Sequence, residues 1–279
     1  MSKLCRPDRD TTPTVSHSTA PALVLLGSDP ALLAAVAPAV DALMVDHEGV
    51  DKQARQRGYD TEINTPCDRQ LERIQSLHPR EVIVRIPPWQ HPDRPDRLAR
   101  ALDCGVDTVM LPMADRVADV DAFLRAIDGR ARGIVQLETP ELLADIRALR
   151  ELPWAHLYLG LNDLMIARGD RSLFRPLVDG TVDHLSNALA PRRVGFAGLT
   201  AIDRGDPVPT LELMAVMVAV GCSMTLLRRS FARDLQPADA AGAIAALRTG
   251  FARLAADPSH VATLRARLHA RVHALTRRP

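Results

Sequence analysis

Eight short apolar runs, rich in β-branched residues, recur along the chain, and their regular spacing limits the fold more than any other feature. They are Ala22–Leu26, Ala42–Asp46, Glu81–Ile86, Thr108–Leu111, Gly133–Leu137, Leu157–Leu161, Arg193–Gly198 and Cys222–Leu227. Their starts average roughly 29 residues apart, near the ~31 residues per unit of an eight-fold βα repeat. Several runs (VIVRI, TVML, IVQL) are almost wholly apolar, as strands covered on both faces are. Helical patterns lie between them. Asp29-Pro30 and Thr139-Pro140 each set a capping side chain before a proline at the first helical position. Asp115–Ile127 carries Val117, Val120, Phe123, Leu124 and Ile127 at helical spacing. The pattern predicts an α/β fold, a (β/α)8 TIM barrel over residues 22–256. A polar leader, expected to be disordered, occupies residues 1–21, and an additional C-terminal helix occupies 257–279.

Composition narrows the function classes. Lys and Arg number 35 against 34 Asp and Glu, so the chain lacks the basic excess of a nucleic-acid binder. Aromatic residues make up 3%, too few for a base-stacking platform. Cys5, Cys67, Cys104 and Cys222 show no CxxC spacing, which argues against a thiolate zinc site or a disulfide scaffold and leads us to expect a cytoplasmic protein. No apolar run is long enough for a membrane span.

Two regions exceed what a minimal barrel needs. Gly49–Pro66 is polar and strand-free and reads as a long loop over one end of the barrel. The last helical stretch, HVATLRARLHARVHALTRR, has a Leu/Val stripe, expected to pack on a neighbouring subunit, and a basic opposite face.

In a parallel barrel the chemistry gathers at the C-terminal ends of the strands. The second run ends in Asp46-His47-Glu48, the third holds Arg85, the fifth ends in Glu138, the sixth in Asn162-Asp163, and the eighth in Arg228-Arg229. A charge inside an apolar strand costs several kcal/mol, on the order of a buried ion, unless it is paired or liganded. Glu138 and Asp163 therefore suggest hard oxygen ligands for Mg2+ or Mn2+, rather than zinc. A 2-oxo acid could complete the coordination with a carboxylate and its keto oxygen, and the cation would stabilise the enolate. Arg85 would add a planar fork of donors for the same anion. Duller accounts exist: the two acids could be helix N-terminal charges, Arg85 part of a structural ion pair, Lys52, Arg55 and Arg57 solvated loop charges, and Arg228 and Arg229 a lead-in to the next helix.

In combination, several segments resemble the HpcH/HpaI aldolase and citrate lyase β-subunit superfamily, from about Leu23 to Arg233. They are VDHEGVDKQARQ (45–56), VIVRIPPW (82–89), GVDTVMLPM (105–113), IVQLETPE (134–141) and YLGLNDLMIARG (158–169), with LFRPLVDGTV (173–182) and CSMTLLRRSF (222–231) extending the likeness. The resemblance implies a (β/α)8 barrel that forms trimers or hexamers and exchanges a C-terminal helix between partners. It implies that Glu138 and Asp163 bind magnesium, that Arg85 holds the enolate, and that Pro112 and Met113 contact substrate. It also implies a lyase that makes or breaks a carbon–carbon bond of a 2-oxo acid. An acyl-CoA lyase or thioesterase of the citryl or malyl type is the alternative, and a non-catalytic subunit of a lyase complex a third. One departure bears on mechanism. The pyruvate aldolases of this superfamily carry Asp-Gly-Glu-His in the second-strand motif, whereas this chain reads Asp46-His47-Glu48-Gly49, with glycine at the histidine position. Glu48 and Asp46 are then the candidates for proton transfer, with a metal-bound water or His47 behind them.

Overall fold

The structure is a computed structural model that describes residues 20–27, 29–48 and 68–277. The expected loop 49–66, Gly49 included, and the leader up to residue 19 lie outside the described residues.

Nine parallel strands form one sheet: β1 (Ala22–Leu26), β2 (Ala42–Asp46), β3 (Val82–Arg85), β4 (Thr108–Leu111), β5 (Arg132–Leu137), β6 (His156–Leu159), β7 (Val194–Phe196), β8 (Gly198–Leu199) and β9 (Met224–Leu227). Their order is β7-β6-β5-β4-β3-β2-β1-β9-β8. Since β7 and β8 are consecutive pieces of one stretch of chain, the two edges of this sheet meet, and the sheet is an eight-position α/β barrel. The seventh position is broken at Ala197, whose φ of 58° lies in the left-handed region. β7 pairs with β6 before the break, and β8 pairs with β9 after it. A continuous run from Arg193 to Gly198 was the sequence expectation; the turn at Ala197 divides it.

Alternation along the strands sorts side chains into two apolar layers. Val24, Ala42, Met44, Ile83, Met110, Ile134, Tyr158 and Met224 form the filling of the barrel. The opposite parity, including Leu43, Val45, Val84, Val109, Val135 and Leu157, packs outward beneath the helices. The runs read as nearly continuous apolar sequence because both layers are buried.

The capping signals form as the sequence indicates. Asp29 accepts a hydrogen bond from the Leu32 N–H at 2.9 Å and starts Pro30–Val36. Thr139 accepts from the Leu142 N–H and starts Pro140–Ala144. The helix expected from Asp115 begins at Val117. The sixth strand ends at Leu159 rather than Leu161, because Gly160 caps a helix over Leu161–Arg168. Asp163 therefore sits in the first turn of that helix, a place where the helix dipole favours an acid.

Two long helices, Pro237–Ala256 and Pro258–Arg277, close the chain. The stripe Val261, Leu264, Leu268 and Val272 is buried within the chain itself, and its helix packs on Thr210–Ala219. Arg271 fixes that contact with a two-pronged pair to Glu212, both at 2.9 Å, and Arg265 pairs with Asp183 at 2.9 Å. Covering the stripe thus needs no second subunit. Among the described residues no helix is long and apolar enough to cross a membrane.

Candidate active site

The C-terminal ends of the strands carry the buried charge of the barrel. Asp46 and Arg85 are register partners on the adjacent strands β2 and β3. Both continue the inward parity set by Met44 and Ile83, so their side chains meet inside the ring. Asp46 grips the guanidinium with two hydrogen bonds, Arg85 Nε to Oδ1 at 2.9 Å and Nη2 to Oδ2 at 2.5 Å. Glu48, two residues on and on the same face, brings Oε2 to 3.2 Å from Nη2. His47 takes the opposite parity, with Val45, and its main-chain N–H donates to the Arg85 carbonyl at 2.8 Å.

The remaining guanidinium nitrogen reaches across the barrel. Arg85 Nη1 donates to Gln136 Oε1 at 3.3 Å, and Gln136 Nε2 donates in turn to Glu138 Oε2. The other carboxylate oxygen, Oε1, accepts from the main-chain N–H of Met113 at 2.8 Å. Met113 has a φ of 52°, a conformation that costs a non-glycine residue about 1–2 kcal/mol and that tends to persist at functional sites. Gly160 supplies the room for this chain of contacts. A Cβ there would fall 2.5 Å from Glu138 Oε2 and 2.9 Å from Gln136 Nε2, so any larger residue would push the carboxylate away.

Electrostatics set the character of the site. Burial disfavours the Arg85 charge, but Asp46 and Glu48 more than offset this and hold the guanidinium firmly protonated. Burial pushes the Glu138 carboxyl up to about 8, and the charges of Glu48 and Asp163 add to the rise, against the opposing pull of Arg85. Asp46, Glu48 and Glu138, all buried, thus act on one guanidinium, and the buried Asp163 acts on Glu138. Such an excess of oxygen anions in a buried place is relieved either by a proton on Glu138 or by a cation.

Arg85, Gln136, Glu138, Tyr158, Gly160, Asn162 and Asp163 open onto one cavity of about 1050 Å3 at this end of the barrel. The structure therefore brings together five of the residues singled out from sequence: Asp46, Glu48, Arg85, Glu138 and Asp163. Asp46 and Glu48 join the group through Arg85 and do not line the cavity, and neither do Pro112 and Met113; Met113 acts on the site through its main chain. Gln136, Gly160 and Tyr158 escaped the sequence reading. For Gln136 a signal existed, since it is the one polar residue inside IVQL and shares the parity of Glu138.

A divalent cation fits the donor set. Glu138 and Asp163 are hard oxygen donors on one cavity wall, and their mutual repulsion is what a cation would remove. Among the described residues no three His, Cys, Asp or Glu side chains converge as a closed cage. Two carboxylates with the other positions left to water and ligand oxygens is the manner in which Mg2+ is commonly held.

No protein-family model and no curated protein matches the chain. Solved structures do. RipC from Yersinia pestis is 16% identical with a TM-score of 0.56, covering 84% of this chain and 95% of that one. An HpcH/HpaI aldolase/citrate lyase family protein from Burkholderia cenocepacia is 19% identical with a TM-score of 0.56, covering 85% and 95%. The citrate lyase beta subunit from M. tuberculosis, complexed with oxaloacetate and magnesium, is 19% identical with a TM-score of 0.53, covering 83% and 97%. The chain shares its fold with structures of the superfamily that its motifs resemble.

Proposed function

We propose that this chain is a divalent-metal-dependent carbon–carbon lyase that acts on a 2-oxo acid through an enolate. The observation that carries the reading is the meeting of Arg85, Glu138 and Asp163 on the wall of one cavity at the C-terminal end of the barrel. The M. tuberculosis neighbour's magnesium and oxaloacetate support it by analogy of fold.

Glu138 and Asp163 would hold Mg2+ or Mn2+, which when bound supplies Lewis-acid stabilisation of charge on the keto oxygen. The chain's own residues do the rest. Asp46 and Glu48 fix Arg85, so that its guanidinium enters the cavity in one orientation and needs no reorganisation when negative charge develops on the substrate. Gln136 and the Met113 N–H hold both oxygens of Glu138 in place. Neither Asp46 nor Glu48 lines the cavity; Asp46 is committed to Arg85 through both oxygens, so Glu48, which meets the guanidinium through one, is the candidate we favour to move a proton at the α-carbon of the bound acid. Tyr158 takes no part as an acid, since its hydroxyl donates to the Ala197 carbonyl at 2.5 Å and burial raises its pKa.

The test is exchange of the pyruvate C3 protons for deuterium, followed by NMR with and without Mg2+, with aldehydes and CoA thioesters then added to identify the second substrate. Metal-dependent exchange that disappears in E138Q and D163N supports the reading. Absence of exchange with pyruvate and with longer 2-oxo acids, in protein shown to bind Mg2+, overturns it.

A further inference from the structure

Away from the cavity, the C-terminal helix carries a pair of nitrogen donors at chelating distance. His269 and His273 stand four residues apart on Pro258–Arg277, so they lie one turn apart on the same flank. His269 is half-buried and His273 exposed, beside the buried stripe of Val261, Leu264, Leu268 and Val272. No other two histidines of the chain are spaced three or four apart. Side chains at this spacing have Cβ atoms roughly 5–6 Å apart and project one above the other. An imidazole nitrogen binds a first-row dication at about 2.0–2.1 Å, so one cation between two rings spans that gap.

The helix is held in place without any metal. Its buried stripe fixes one face, and Arg271, between the two histidines in sequence, is anchored to Glu212 by two hydrogen bonds of 2.9 Å. A chelate formed on a backbone already ordered costs only the two side chains' freedom. The surroundings leave the pair open. Ala266 and Ala270, each three residues before one of the histidines, are exposed and put no long side chain over the rings. Arg265, one turn before His269, is drawn to Asp183 with contacts of 2.9 and 3.2 Å, which offsets its charge. Among the described residues no third His, Cys, Asp or Glu joins the pair, so water would fill the other positions of a bound cation.

We propose that His269 and His273 form a second metal site, for one borderline transition-metal dication of the Ni2+, Cu2+ and Zn2+ class. Two imidazole donors select that class and discriminate against Mg2+, which takes oxygen ligands. The bound ion closes a clip over the last turns of the chain, on the helix that packs on Thr210–Ala219. The inference stands apart from the lyase reading, since it uses none of the residues of the cavity.

The experiment is calorimetric titration of the full chain with NiCl2, in a background of excess MgCl2 that competes for the carboxylate pair. The wild-type chain should take up one Ni2+ that H269A or H273A binds at least roughly ten-fold more weakly, because a chelate loses its effective concentration when either arm is removed. H260A, on the same helix but nine residues before His269, should leave that uptake unchanged. H273A/A274H keeps the number of histidines but carries the second ring roughly 140° round the helix, and should bind as weakly as H273A. H269A/A270H sets the pair three apart, again on one flank, and should recover most of the affinity. The same Ni2+ should raise the melting temperature of the wild-type chain and not that of H273A/A274H, whose metal-free melting shows that it folds. No Ni2+ uptake by the wild-type chain, equal uptake by folded H269A and H273A, or wild-type affinity in H273A/A274H overturns the inference.

Discussion

Asp46 and Arg85 stand side by side at the same register of two parallel strands, and the carboxylate holds the guanidinium at two points, 2.9 Å from Nε and 2.5 Å from Nη2. This leaves Nη1 as the nitrogen that reaches toward Gln136 and the cavity. An aspartate used this way acts through the arginine. D46N keeps the volume but removes the charge and turns a donor toward Arg85. Its C3 exchange should fall roughly 10–100-fold, with KM for the 2-oxo acid rising, because the fork is no longer held at the angle the substrate needs. Breaking one side of a buried pair costs about 3–5 kcal/mol. With Glu48 still 3.2 Å away, the loss should fall at the low end of that range, read as a lower urea midpoint with an unchanged m-value.

Glu138 and Asp163 should be inseparable in their effect on metal. E138Q or D163N should abolish Mg2+-dependent exchange and also the rise in melting temperature that Mg2+ gives the wild-type chain. The thermal readout makes the outcome independent of substrate choice. Retained metal stabilisation in both variants would remove these residues from the metal site.

The same carboxyl makes metal binding pH-dependent. Its proton is held to about 8, above the ordinary carboxylate value of 4.5, by burial and then by Glu48 and Asp163. Only the ionised form ligates, so Mg2+ affinity should climb as pH rises toward 8 and level off beyond it. For the metal-free fold the direction reverses. The folded state binds this proton more tightly than the unfolded chain, so its stabilising effect is full below pH 4.5 and is lost as pH rises to about 8. Calorimetric titration of the wild-type chain across that range checks the first dependence, and E138Q should flatten the second, as followed by melting without metal.

Gly160 offers a test of geometry alone. Gly160→Ala places a methyl group 2.5 Å from where Glu138 Oε2 now lies, without altering any charge. The carboxylate must move, and Mg2+ affinity should drop by roughly ten-fold or more, as expected when the groups that orient a metal ligand are disturbed. Binding at wild-type affinity would mean that Glu138 is not confined as described.

His156, at the start of β6 and the opposite end of the barrel, should govern acid sensitivity. Burial, with Arg132, Arg193 and Arg192 nearby, lowers its pKa from 6.5 to about 4. The unfolded chain takes up a proton as pH falls below 6.5 and the folded chain does not, so stability drops between 6.5 and 4. H156Q should melt with a shallower pH dependence over that interval.

Some of this was legible in the sequence and some was not, for identifiable reasons. The strands β1, β2 and β4 match their apolar runs residue for residue, because each run is bounded by proline, glycine or a polar residue. Asp163 was expected at a strand end and lies in a helix; a glycine inside LGLND does not by itself say whether strand or helix follows. The Asp46–Arg85 grip depends on the register between neighbouring strands, which no single run encodes. Gln136 could have been found from parity with Glu138. Arg228 was noted at the end of the eighth run, but Arg204 and Arg233, which also line the cavity, could not be, since they come from irregular loop and short-helix segments with no periodicity to orient them.

The interruption at Ala197 gives the ring a seam, and the seam opens onto the cavity. Ala197 and Gly198 both line it, with the site's carboxylates approached from the β6 side and the arginines from the β9 side. One phenol, that of Tyr158, ties across this joint by donating to the Ala197 carbonyl. A molecule long enough to touch both walls would therefore straddle the stitch where the cylinder is fastened. Its arrival should tighten the fastening itself, slowing amide exchange along Val194–Leu199 more than along any strand on the far flank.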